Sequence, residues 1–148
     1  MALCQKAAAA NESKRMIWDL HVHLSRFHGD TPTQRMNSVI QFADRMGIDR
    51  VLLYLGMPPT IADPSPDDPR IKNDETLEAL RPWPGRAFGL VYLNPKHTQF
   101  SLREFNRCVR DGPMLGVKLW IAKRYKYPEL DPINERATQM KALVYQHT

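Results

Sequence analysis

Apolar strand-like runs recur along this chain at intervals of about thirty residues, with helix-patterned segments between them, and that alternation restricts the fold to parallel strands joined by crossover helices. The first run is Met16 to His21. Gln34 to Met46 then places Met36, Val39, Ile40, Ala43 and Met46 at helical spacing, and Gly47 stops it. Ile48 to Leu55 reads as a strand buried on both faces, and a Pro-rich loop follows from Met57 to Pro69. Asn73 to Leu80 reads as a short helix and Ala87 to Leu93 as the third strand. Ser101 and Glu104 have capping-box spacing, with Phe100 and Phe105 as the hydrophobic staple, for a helix ending near Gly112. Leu115 to Trp120 is the expected fourth strand. Asp131 and Pro132 supply the N-cap and first turn of a fourth helix, and Leu143 to His147 is the fifth strand.

Two architectures satisfy this pattern. An open doubly wound sheet would be complete at 148 residues, whereas a (β/α)8 barrel typically needs about 250. No glycine-rich phosphate loop follows any strand, which argues against a nucleotide-binding open sheet.

The rest of the composition excludes several classes. Hydrophobic residues make up 43% and charged residues 25%, as in an ordinary globular protein. The net charge of +5 is scattered, apart from a small cluster at Lys123, Arg124 and Lys126, and no basic stripe of the kind that binds nucleic acid is present. Two cysteines, Cys4 and Cys108, make no disulfide framework, and no apolar run reaches signal-peptide or membrane-spanning length. The expectation is a cytoplasmic protein with free thiols, in which residues 1–15 form a flexible extension and residues 16–148 the folded unit.

The chemistry-bearing feature is Asp19-Leu20-His21-Val22-His23, at the end of the first strand. Strand residues two apart share a face, so His21 and His23 present two imidazoles side by side, and neutral imidazole is a good ligand for zinc, iron or manganese. Asp19 is close enough to orient a ring or to stand behind the ligands without touching the metal. In parallel α/β folds the carboxyl ends of the strands line the site. Those ends supply His21 and His23, Tyr54 and Gly56, Asn94, Lys118 and Trp120, and His147. Arg26, Lys123 and Arg124 follow strands one and four, where they could meet an anionic group.

Taken together, Asp19 to His23 resembles the strand-one signature of the amidohydrolase superfamily. Gly116-Val117-Lys118-Leu119-Trp120 resembles the fourth strand of its amidohydrolase-related branch, and Tyr145-Gln146-His147-Thr148 the fifth. The resemblance covers about residues 16 to 148. It implies a (β/α)8 TIM barrel of which about five strands are present, truncated after the fifth. It also implies a divalent metal, zinc first with manganese or iron as alternatives, held by His21, His23 and His147. Lys118 has two readings: a carboxylated bridge between two metals, or an unmodified lysine that snorkels from the strand end or binds a substrate carboxylate. Asn94, Trp120 and Arg124 are candidates for substrate contact, and the proton-shuttling aspartate is expected beyond Thr148.

The activity implied is hydrolysis of a small amide, lactone or ester by metal-activated water. The alternatives are a decarboxylase of the same branch and a non-catalytic remnant. Open barrel edges imply self-association, and inward apolar residues Leu53, Leu55, Val91, Leu93 and Val117 are expected to lack their covering strands.

Overall fold

The structure, a computed structural model, describes residues 15–56, 64–119 and 127–146. The expected extension over residues 1–15 therefore lies, all but Arg15, outside the described residues, as do Trp120, Lys123, Arg124 and His147. The elements are β1 (Trp18–Val22), α1 (Pro32–Met46), β2 (Arg50–Leu53), α2 (Asp67–Leu80), β3 (Ala87–Leu93), α3 (Thr98–Phe105), β4 (Gly116–Leu119), α4 (Asp131–Gln139) and β5 (Leu143–Gln146). Among the described residues no helix is long and apolar enough to cross a membrane.

The strands are parallel and lie in the order β1-β2-β3-β4-β5. A doubly wound sheet reverses direction part-way, because its strands are laid down to either side of a central starting point. An unbroken consecutive order is that of a barrel wall. It also puts the helices on one side: Met36, Val39, Ile40 and Ala43 of α1, Leu80 of α2, Phe105 of α3 and Ile133 of α4 share one core with Val51, Leu53, Val91, Leu93, Val117 and Leu119 of the strands. The opposite face carries its own cluster of Leu52, Tyr54 and Leu90, with Phe88 and Tyr145 packed against it.

This division corrects the expected inward set. Leu53, Leu55, Val91, Leu93 and Val117 belong to the helix-covered core. Strands buried on both faces show no alternation from which the inward parity can be read.

α1 forms where its pattern predicts, two residues earlier than expected because Thr31 caps it. The Thr31 hydroxyl accepts from the Gln34 amide at 3.2 Å, Gln34 Oε1 accepts from the Thr31 amide at 3.3 Å, and Pro32 opens the first turn. Gly47 ends it with φ of 68°, a left-handed conformation that glycine adopts without strain. α2 begins at Asp67, inside the expected loop, with two aspartates at its positive end.

The Ser101–Glu104 capping box does not form. The helical stretch starts earlier, at Pro95, where Asn94 Oδ1 accepts from the Lys96 amide at 3.2 Å. Ser101 and Glu104 are consequently interior: the Ser101 hydroxyl donates to the Asn94 carbonyl at 2.8 Å. Glu104 is buried and receives Arg107 at 2.8 and 2.7 Å and Asn73 at 3.2 Å. Asp131 is the first residue of α4 rather than its cap.

β3 is shared between two pairings. Residues 87–89 pair with β2, and residues 90–93 pair with β4. Where β2 has ended, the Asn73 side chain takes over the ladder, accepting from the Tyr92 amide at 2.8 Å and donating to the Tyr92 carbonyl at 3.1 Å.

Candidate metal centre

The histidine pair owes its direction to a β-bulge. In the β1–β2 ladder Asp19 stands opposite Val51 and Val22 opposite Leu53, so Leu20 and His21 together oppose one residue, Leu52. The extra residue allows Trp18 and His21, three apart, both to point to the inner face, where Trp18 stacks on Phe88 with ring centroids 5.0 Å apart. The Asp19 carboxylate accepts the His21 backbone N–H at 2.9 Å. Of the two roles open to Asp19, the described contact is with the His21 main chain rather than with a ring.

At the carboxyl end of β1 the two Nε2 atoms of His21 and His23 are 3.0 Å apart. Two nitrogens each about 2.0–2.1 Å from one ion would lie roughly 2.8–3.4 Å apart for coordination angles between 90° and tetrahedral, so this spacing fits a shared divalent cation. Imidazole donors without thiolate suit zinc, manganese or iron. Among the described residues, no group of three or more His, Cys, Asp and Glu side chains gathers at one point. His23 is held below the ordinary imidazole pKa, first by burial and then by the nearby His21, Lys118 and Arg26. A neutral imidazole is the form that offers a lone pair.

Two tyrosines complete the cluster. Tyr145 of β5 places its hydroxyl 2.9 Å from His21 Nδ1, and Tyr54, just past β2, places its hydroxyl 2.6 Å from His21 Nε2. The tautomer with Nδ1–H donating to Tyr145 leaves the Nε2 lone pair directed at His23 and Tyr54. Burial and the neighbouring Tyr145 hydroxyl push the Tyr54 pKa up, so the phenol stays protonated. Lys118 of β4 is buried on the same face, its Nζ 4.2 Å from the Tyr145 ring centroid and 5.0 Å from that of Tyr54.

His21, His23 and Lys118 are therefore brought to one neighbourhood. Asn94 is not joined to it by any described contact: its amide donates to the Pro64 carbonyl at 3.0 Å, and its oxygen serves as the helix cap. Arg26 borders a cleft of about 470 Å³ that is also lined by Asp19, His21, His23, Phe27 and Phe42. Tyr54 was identifiable as a strand end, and Tyr145 from the fifth-strand resemblance. Neither had a signal for its hydroxyl bond to His21, which depends on how β5 registers against β4.

No protein-family model matches the sequence, and no curated protein matches it. Solved structures do. A 2,6-dihydroxybenzoate decarboxylase from Rhizobium superposes with a TM-score of 0.68 at 18% identity, over 90% of this chain and 50% of its own. An amidohydrolase II gives 0.71 at 17% identity, over 88% of this chain and 50% of its own. This chain has the fold of a partial (β/α)8 barrel. A 5-carboxyvanillate decarboxylase from Novosphingobium aromaticivorans, complexed with manganese and 4-hydroxy-3-methoxy-5-nitrobenzoic acid, gives 0.64 at 23% identity, over 74% of this chain and 33% of its own. At these identities the likeness is one of fold. The chain spans half the length of the first of these structures.

Proposed function

We propose that this chain carries the first-strand part of an amidohydrolase-type divalent-metal site, with His21 and His23 as ligands and His147 as the ligand following β5. The observation that carries the reading is the 3.0 Å approach of the two Nε2 atoms at the carboxyl end of β1. That end is where (β/α)8 barrels place their active sites. When bound, a divalent ion there supplies Lewis acidity towards a carbonyl or carboxyl oxygen and acidifies water. The chain's own residues hold the site ready: Tyr145 fixes the His21 ring through Nδ1, burial keeps His23 neutral, and the Tyr54 and Tyr145 rings wall the inner face. The substrate class is a small molecule with a scissile amide, lactone or ester.

A second reading, decarboxylation of a small carboxylic acid, is favoured by two of the structures that share the fold, both decarboxylases of aromatic acids. Zinc and manganese are both proposed as occupants, zinc for its preference for imidazole and manganese for its presence in one of those structures. The test is metal content by mass spectrometry, after chelator treatment and reloading with each ion. The expected result is a stoichiometric ion in the parent chain and loss of it in the His21→Ala, His23→Ala double variant. Equal metal in both would overturn the assignment.

A further inference from the structure

Lys118 is 5% exposed, and its Nζ has no hydrogen-bond partner among the described residues. No described carboxylate forms an ion pair with it. Its surroundings are instead aromatic, and the two rings that cage it are those whose hydroxyls reach His21. Tyr145 offers its ring 4.2 Å from Nζ and its hydroxyl 2.9 Å from His21 Nδ1. Tyr54 offers its ring at 5.0 Å and its hydroxyl 2.6 Å from His21 Nε2.

A buried ammonium with idle donors is costly, because ring faces replace only part of the hydration it has lost. The cost is relieved if an anion accepts its N–H groups or if the nitrogen is converted to an uncharged or negative group. Ring faces carry the negative part of the aromatic quadrupole, which attracts a cation and repels an anion. A carbamate on Nζ would therefore place negative charge against two rings that disfavour it, whereas the ammonium is held by both. The ring faces thus favour the ammonium over a carbamate, while burial lowers the Lys118 pKa and leaves its charge in want of an anion.

We propose that Lys118 is an anion anchor that receives the carboxylate of a small-molecule carboxylic acid and sets it beside the His21–His23 pair. The proposal narrows the substrate class and rests on the metal reading only for what happens next. The binding step itself needs no metal.

The test uses the whole chain, metal-stripped and labelled with 15N-lysine. Benzoate and its neutral counterpart benzamide serve as probes. Benzoate is expected to move the Lys118 Nζ resonance and to bind at least about tenfold more tightly than benzamide, the signature of a charge-assisted contact. Lys118→Met, with its fold checked by circular dichroism, should bind the two probes alike. Equal binding of both by the parent chain would overturn the proposal, as would a carbamate signal on Lys118 after addition of 13C-bicarbonate. Should Lys118→Met fail to fold, the parent titration decides alone, since an Nζ resonance unmoved by benzoate refutes the anchor. Metal content and the Nζ resonance are separate signals, so failure of the histidine site and failure of the anchor are told apart.

Discussion

The Tyr145 hydroxyl meets His21 Nδ1 at 2.9 Å across 124 positions of sequence, so the first strand's leading ligand candidate is steadied by the last strand. Such outer partners fix the ring and its tautomer, and losing one typically weakens a metal site about 10-fold to 100-fold. Tyr145→Phe should weaken zinc or manganese binding by that range while leaving the far-ultraviolet spectrum unchanged. Competition against a chromophoric chelator measures it. Unaltered affinity would mean that Tyr145 does not orient the ligand.

Tyr54→Phe should act in the opposite direction. The Tyr54 hydroxyl lies 2.6 Å from His21 Nε2, the nitrogen proposed to face the metal, and so competes for that lone pair. Its removal should leave metal affinity equal or raise it by a few-fold. A loss as large as that of Tyr145→Phe would show that the hydroxyl belongs to the ligand set.

The Asn73 side chain stands in for a strand at the level of Tyr92, and it is completely buried. Asn73→Leu keeps the branched shape but removes both Asn73 hydrogen bonds to the Tyr92 backbone, at a cost of about 2–4 kcal/mol. Urea unfolding is the check. A change below about 0.5 kcal/mol would indicate that water or a shifted β2 restores the bonds.

Gly116 leaves no room for a side chain: a Cβ there would run into the Leu143 backbone. Gly116→Ala should push β5 off β4, with a loss of about 3 kcal/mol or more. Hydrogen exchange at Leu143 to Gln146 should quicken before the β2 amides do. Unchanged protection there would rule out the contact.

Acid should destabilise the metal-free chain through His23. Its folded pKa lies below the ordinary value of 6.5, so as pH falls through 6.5 the unfolded chain takes up a proton that the folded chain resists. Stability therefore declines with falling pH from that point until the folded imidazole also protonates, and above about pH 7 His23 contributes no slope. The slope is at most about 1.4 kcal/mol per pH unit for one group. His23→Gln should flatten the profile between pH 7 and 5, and superimposable profiles would contradict the burial argument.

Much of this molecule was legible in the residues alone. The five-strand, four-helix alternation is written in period and punctuation, and Ala87–Leu93 falls where its pattern places it. The bulge at Leu20–His21 was not, because a one-residue insertion depends on which partner residue each strand residue meets. Ser101 and Glu104 misled for a related reason. Capping-box spacing recurs inside helices, and only the burial of Glu104 against Arg107 and Asn73 shows that it serves the interior. The histidine pair could be read from sequence because two residues on one strand suffice for it. The tyrosine cage could not, since it needs three strands in register.

β3 divides its length between its neighbours, with residues 87–89 on β2 and residues 90–93 on β4. Mechanically it is a splice joining two panels of sheet. His21, His23 and Tyr54 ride on one panel, and Lys118 and Tyr145 on the other. Any twist at that splice changes the spacing between the histidines and Lys118 without altering a bond inside either panel. Substitutions in the middle of β3 that touch no ligand are thus positioned to retune this site, much as loosening a hinge misaligns two doors that are each still square.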